Sequence, residues 1–209
     1  MSKRTKQILV NLNMGKPKEK TVYEVGSSTL KITDDAVLYP VSAFLKRNLT
    51  FEDNVKIILI GKRDSFGYYE ENVRMFKEEI ENINKYIKAE IEIVQVVTDF
   101  KEGFSVHKEA LEGVIDQIED GVPLWADTTF GDKTTLIVAM SAISFAERHL
   151  GVVVVDLIYG KADFSPEGEP INTAAWTFSG LFFINSLCNR MESENPDNAR
   201  QMIKKLMNI

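Results

Sequence analysis

The chain has one cysteine, Cys188, and two histidines, His107 and His149, in 209 residues. A single cysteine forms no internal disulfide, which fits a reducing compartment. So few soft ligands, so far apart, exclude a zinc centre and a histidine-based nucleophilic triad. Cys188 lies in an apolar run and reads as a buried structural thiol. Basic residues are also short, 25 against 31 acidic, for a net charge of −6. That balance argues against a groove binder of duplex DNA or RNA, but it leaves room for a small pocket holding a compact anion. No apolar run reaches the roughly 18–20 residues of a membrane span, and the polar start Met1-Ser-Lys-Arg-Thr-Lys-Gln7 lacks the apolar stretch of a signal peptide. The expectation is a cytoplasmic protein with no membrane partner.

Two phosphate motifs are missing as well. No Gly-x-Gly-x-x-Gly follows the first strand, where Asn11-Leu-Asn13-Met-Gly15 stands instead, so a dinucleotide oxidoreductase is disfavoured. The Gly131-Asp-Lys133-Thr134 segment is not a Walker A loop, because Ala126 stands where the first glycine is needed and Asp132 separates glycine from lysine.

What is present is alternation. Strand-like runs (7–13, 55–61, 91–97, 122–127, 152–159) alternate with helix-like runs (39–48, 69–89, 106–120, 134–150). Near-continuous Ile57-Ile-Leu-Ile60 and Val152-Val-Val-Val155 indicate strands covered on both faces. The fold expected is α/β, a Rossmann-like parallel sheet flanked by helices. Thr21–Val25 and Thr29–Thr33 flank Gly26-Ser-Ser28 and predict a β-hairpin inserted after the first strand. Lys161–Pro170 reads as a loop, followed by helices over 173–187 and 196–207. The expected organisation is a Rossmann core over 1–172 and a C-terminal helical extension over 173–209. The first of the two helices is apolar enough either to close the core or to form a homodimer interface.

The most informative segment is Pro123–Thr135, a buried strand running through a polar, glycine-containing turn into an apolar helix. A helix N-terminus offers unpaired N–H groups and the positive end of a dipole, and Lys133 adds a cation. Asp127, at the strand end, could hold magnesium, although capping the turn is the simpler role. In an open parallel sheet ligands bind beyond the carboxyl ends of the strands, at the switch point between the first and fourth strands of the core. That joins Asn11, Asn13 and Gly15 to Thr128, Thr129, Gly131 and Lys133, with Lys62 and Arg63 alongside as further cations. An ordinary nucleotide enzyme dependent on magnesium at Asp127 is one reading of this crevice.

The first-strand turn, the Asp127-Thr-Thr-Phe-Gly131-Asp-Lys133 turn with its apolar helix, and the strand ending Tyr159-Gly160 with a Trp-containing segment behind resemble the CRISPR-associated Rossmann-fold (CARF) domain of type III CRISPR accessory proteins. The likeness runs over about residues 6–190. At the key turn the family has Asp, Ser/Thr, Thr, Gly or His, Gly, x, Lys/Arg; Phe130 departs from it. The resemblance implies a homodimer whose pockets meet on the two-fold axis and bind a cyclic oligoadenylate, cyclic tetraadenylate first. It implies that Thr128, Thr129, Gly131 and Lys133 contact phosphate and ribose, that Asn11, Asn13 and Gly15 line the other side, and that no cofactor or metal is needed. Family members usually carry an effector nuclease; no Arg-x4–6-His motif occurs here. Two outputs follow: a ring nuclease using Lys133 and Thr129, or a non-catalytic sensor that buffers the messenger or acts through an effector protein partner.

Overall fold

Runs of Ile, Val and Leu take the middle of the sheet, because a strand covered on both faces has no polar side to alternate with. The computed structural model describes residues 3–16, 18–166, 170–192 and 195–207. Its elements are β1 (Arg4–Asn11), β2 (Glu24–Val25), α1 (Pro40–Asn48), β3 (Asp53–Arg63), α2 (Tyr68–Ile87), β4 (Glu90–Asp99), α3 (Phe104–Gln117), β5 (Leu124–Asp127), α4 (Lys133–His149), β6 (Val154–Phe164), β7 (Pro170–Thr177), α5 (Ser179–Arg190) and α6 (Pro196–Met207).

Seven strands form one sheet in the order β2-β7-β6-β5-β1-β3-β4. From β4 to β6 all pairings are parallel. The fold is therefore α/β and Rossmann-like, as the alternation predicts. The chain steps outward from β1 to β3 and β4, then returns to the far side of β1 as β5, which puts the switch point between β1 and β5.

Strand alternation divides the core. Ile8, Val10, Ile57 and Leu59 join Leu45 of α1 and Phe76 and Ile80 of α2 in one cluster. Ile60 faces the other way, toward Ala110 of α3 and Val138 of α4. Pro40 opens α1, where its missing N–H does no harm.

Four expectations need correction. The inserted hairpin does not form: Glu24–Val25 pairs in parallel with β7, and 29–33 is irregular. Residues 173–177 are strand, not helix, because β7 pairs antiparallel with β6 through Ile158–Thr177 and Tyr159–Trp176. The expected loop Lys161–Pro170 is strand at both ends, with 167–169 outside the described residues. Cys188 is exposed, not buried. The chain divides into two compact units, Met1–Thr177 and Phe178–Ile209. The strand character of 173–177 carries the first unit past position 172.

Among the described residues no helix is long and apolar enough to cross a membrane.

Candidate site at the switch point

The β5–α4 turn is built by three local devices. Gly131 has φ +93°, a conformation that strains any residue with a Cβ. Phe130 turns inward and packs edge-on against Tyr39 at 5.1 Å, which anchors the turn to the core. Asp132 is the N-cap of α4: its Oδ1 accepts from the Thr135 N–H at 2.7 Å and from the Thr134 and Thr135 hydroxyls at 2.8 Å each.

Asp132 meets a cation from β3. Lys62 Nζ, 5% exposed, donates to Asp132 Oδ2 at 2.6 Å, to Glu102 Oε1 at 2.7 Å and to the Thr134 hydroxyl at 2.9 Å. Burial opposes Asp132's charge, but Lys62 and the Thr135 N–H outweigh it and hold its pKa well below the carboxylate range. Lys62 is likewise held charged: desolvation pulls its pKa down, and Asp132 and Glu102 push it up further. The structure thus brings Lys62 to the start of α4, but as the partner of two carboxylates.

With Asp132 covering Thr135 and the Leu136 N–H bonded to Asp132 O, the N–H groups of Lys133 and Thr134 have no partner among the described residues. The exposed Lys133 side chain also makes no hydrogen bond or ion pair among them. Lys62 is shared by two carboxylates, so the Lys62–Asp132–Glu102 cluster keeps a net charge of −1, and the exposed Lys133 is the cation that offsets it for an arriving anion.

Asp127 serves a different helix. It is fully buried; Oδ2 accepts from the Val41 N–H of α1 at 2.8 Å and Oδ1 from the Thr129 N–H at 2.9 Å. Desolvation pushes its pKa up to about 6, against the pull of these donors. Both oxygens are engaged in capping. Among the described residues no group of three or more His, Cys, Asp or Glu could hold a metal ion.

Thr128 donates from its N–H and hydroxyl to Ile158 O, and the Thr129 hydroxyl accepts from the Gly160 N–H at 2.8 Å. Both threonines tie the turn to β6.

Across the switch point, Asn11 ends β1 fully buried, and neither atom of its carboxamide has a hydrogen-bond partner among the described residues. Its Cβ lies 3.5 Å from where a Cβ on Gly131 would stand, so it sits under the same turn. Leaving such a group unpaired costs about 1–3 kcal/mol, and evolved proteins rarely tolerate that without a use. Asn13 shapes its loop instead: Nδ2 donates to Lys16 O at 2.9 Å, and Oδ1 accepts from the Gly15 N–H at 3.3 Å. Asn72 of α2 donates to Gly15 O at 2.9 Å and pins the loop from below. Arg63 pairs with Glu70 at 3.2 Å.

Asn11, Asn13, Gly15 and the Thr128–Lys133 turn thus meet at the carboxyl ends of the central strands β1 and β5; Lys62 joins them in a part-buried ion pair, and Arg63 lines the cleft alongside. Sequence reading missed Asp132, Glu102 and Asn72. Asp132 had a local signal, since it stands three residues before Thr135 at N-cap spacing. Glu102 and Asn72 reach the site only through tertiary packing.

Fold and site together define a Rossmann-like α/β protein with helix N–H groups unpaired among the described residues and an exposed lysine at its switch point. The chain matches no protein-family model and no curated protein.

Proposed function

We propose that this protein is a member of the CARF family that binds a cyclic oligoadenylate, cyclic tetraadenylate first, as a homodimer and cleaves it in type III CRISPR defence. The observation that carries the reading is the pairing, around one glycine turn, of two kinds of unused polar group. The exposed Lys133 ammonium and two α4 N–H groups have no partner among the described residues, and the buried Asn11 carboxamide lies beneath the turn. An exposed lysine beside unpaired helix N–H groups suits a phosphate.

Support for the dimer lies on α4 itself. Ile137 is 65% exposed, with Leu136 and Phe145 at 37% each, so the helix is not buried all round as its composition suggests. A second copy covering this stripe would bring two Lys133 side chains near a two-fold axis, matching a symmetric ligand. Leu181 and Phe183 of α5 are also exposed.

Cleavage would proceed by in-line attack. The ribose 2′-oxygen bonds to phosphorus, the P–O5′ bond breaks, and the proton of the 2′-hydroxyl passes to the leaving 5′-oxygen through solvent. The products are a 2′,3′-cyclic phosphate end and a 5′-hydroxyl. Lys133 would stabilise the charge on the non-bridging oxygens, and the turn held by Thr129 would fix the geometry. The sensor reading draws on one observation: the Thr129 hydroxyl is engaged with the Gly160 N–H.

The test is incubation of labelled cyclic tetraadenylate with the purified protein in a chelator, with Lys133→Ala as control. Linear products that vanish in the variant support the ring nuclease. Retention of intact label supports the sensor, and the absence of both signals rules out tetraadenylate as the ligand.

A further inference from the structure

Beside the crevice opens a cleft of about 510 Å3, formed by the loops that follow β1, β3 and β4. Its volume falls within the range of small-ligand pockets. Two phenyl rings on its walls stand in solvent: Phe66 is 78% exposed and Phe100 56%. Single exposed hydrophobics are ordinary on a protein surface, but here two line one concavity. Tyr68 backs Phe66, the rings stacked with centroids 5.6 Å apart.

Cations stand at the same rim. Arg63 pairs with Glu70 at 3.2 Å and Lys101 with Asp99 at 2.8 Å, every partner more than half exposed. Exposed pairs of this kind hold weakly, so either cation can exchange its carboxylate for a phosphate.

The cleft shares a wall with α4. Met14 and Gly15 line it, and Met14 Sδ lies 4.0 Å from the Thr135 hydroxyl in the first turn of α4. Lys62 Nζ links the two from within, 2.6 Å from Asp132 at the cap of α4 and 6.0 Å from the centroid of the Phe100 ring.

We propose that this cleft is a nucleobase subsite, in which Phe66 and Phe100 stack on an adenine of the ligand whose phosphate sits at the N-terminus of α4. The inference rests on the phosphate-binding reading above and adds where a base goes. Flat, exposed aromatic rings beside cations are the surface on which bases stack, and stacking accepts any base face.

The test titrates cyclic tetraadenylate into the full chain and into Phe66→Ala, Phe100→Ala, Phe100→Trp and Lys133→Ala variants. Each alanine substitution at a ring weakens binding about tenfold or more, while thermal unfolding is unchanged because the rings are exposed. The indole introduced by Phe100→Trp is quenched on binding. Binding that falls in Lys133→Ala but holds in both ring variants overturns the subsite and leaves the phosphate site standing. If tetraadenylate does not bind, but 5′-AMP quenches Phe100→Trp, the subsite stands and the cyclic ligand falls. If neither nucleotide gives a signal, both readings fall.

Discussion

Asp127 and Asp132 lie in one turn and do the same job, each accepting a backbone N–H at the start of a helix, yet their environments drive them in opposite directions. Asp127 is sealed against α1 with no cation beside it among the described residues, and burial pushes its pKa up to about 6. Asp132 is partly open and faces Lys62, which holds it charged. The N-terminus of α1 is closed by protein groups, with Glu79 taking the Leu38 N–H at 2.8 Å as Asp127 takes that of Val41. The N-terminus of α4 is left with two N–H groups and Lys133 unused. Helix starts of like origin thus become a structural joint and a candidate anion site, and the difference lies in which carboxylates reach them.

The largest break in this comparison comes from Asp132→Ala. It removes the cap of α4 and one partner of the buried Lys62, and we expect a loss of about 3 kcal/mol in urea unfolding. A loss below about 1 kcal/mol would mean that Glu102 alone satisfies Lys62.

Asp127 sharpens the comparison through pH. Its folded pKa of about 6 lies above the ordinary 3.8, so between those values the folded protein binds more protons than the unfolded chain. The stability it confers is full below about pH 4 and is lost as pH rises through 6, by up to about 3 kcal/mol. Asp132 has the opposite sign, because its folded pKa is depressed: its contribution is present above the unfolded value and fades only as pH falls below it. Asp127→Asn should therefore flatten the unfolding profile between pH 4 and 7, and a profile that keeps its slope would assign it to another group.

Gly131→Ala should cost about 1–2 kcal/mol. The added Cβ would meet Asn11 and Thr135 at an ordinary 3.5 Å, so the penalty is the φ of +93° alone. Chemical denaturation reads it directly. Smallest is the effect of Lys133→Ala on stability, within about 0.5 kcal/mol for an exposed side chain. Its effect on tetraadenylate affinity is expected to be a loss of about ten- to a hundredfold.

The sequence showed the sheet's parallel core because each central strand is a continuous apolar run, and it showed the β5–α4 turn because glycine, lysine and threonine stand together there. The segment 173–177 misled because Ala174, Ala175 and Trp176 suit a helix as well as a strand; pairing with β6 decided the matter. The hairpin failed for a related reason: Glu24–Val25 found a partner about 150 residues away in β7 rather than in its neighbour. Within the site, Asn11 was visible as a polar strand end but not as a buried, unpaired amide. The Lys62 triad was invisible, since its members come from β3, the segment before α3, and the cap of α4. Charges that reading along the chain takes for free cations are neutralised by residues 40 and 70 positions distant.

The most direct test of the account follows backbone amide resonances while cyclic tetraadenylate is added. The account predicts shifts at Gly131, Lys133 and Thr134, with Leu38 and Val41 at the sealed start of α1 unmoved. Binding that leaves the α4 amides in place would contradict it.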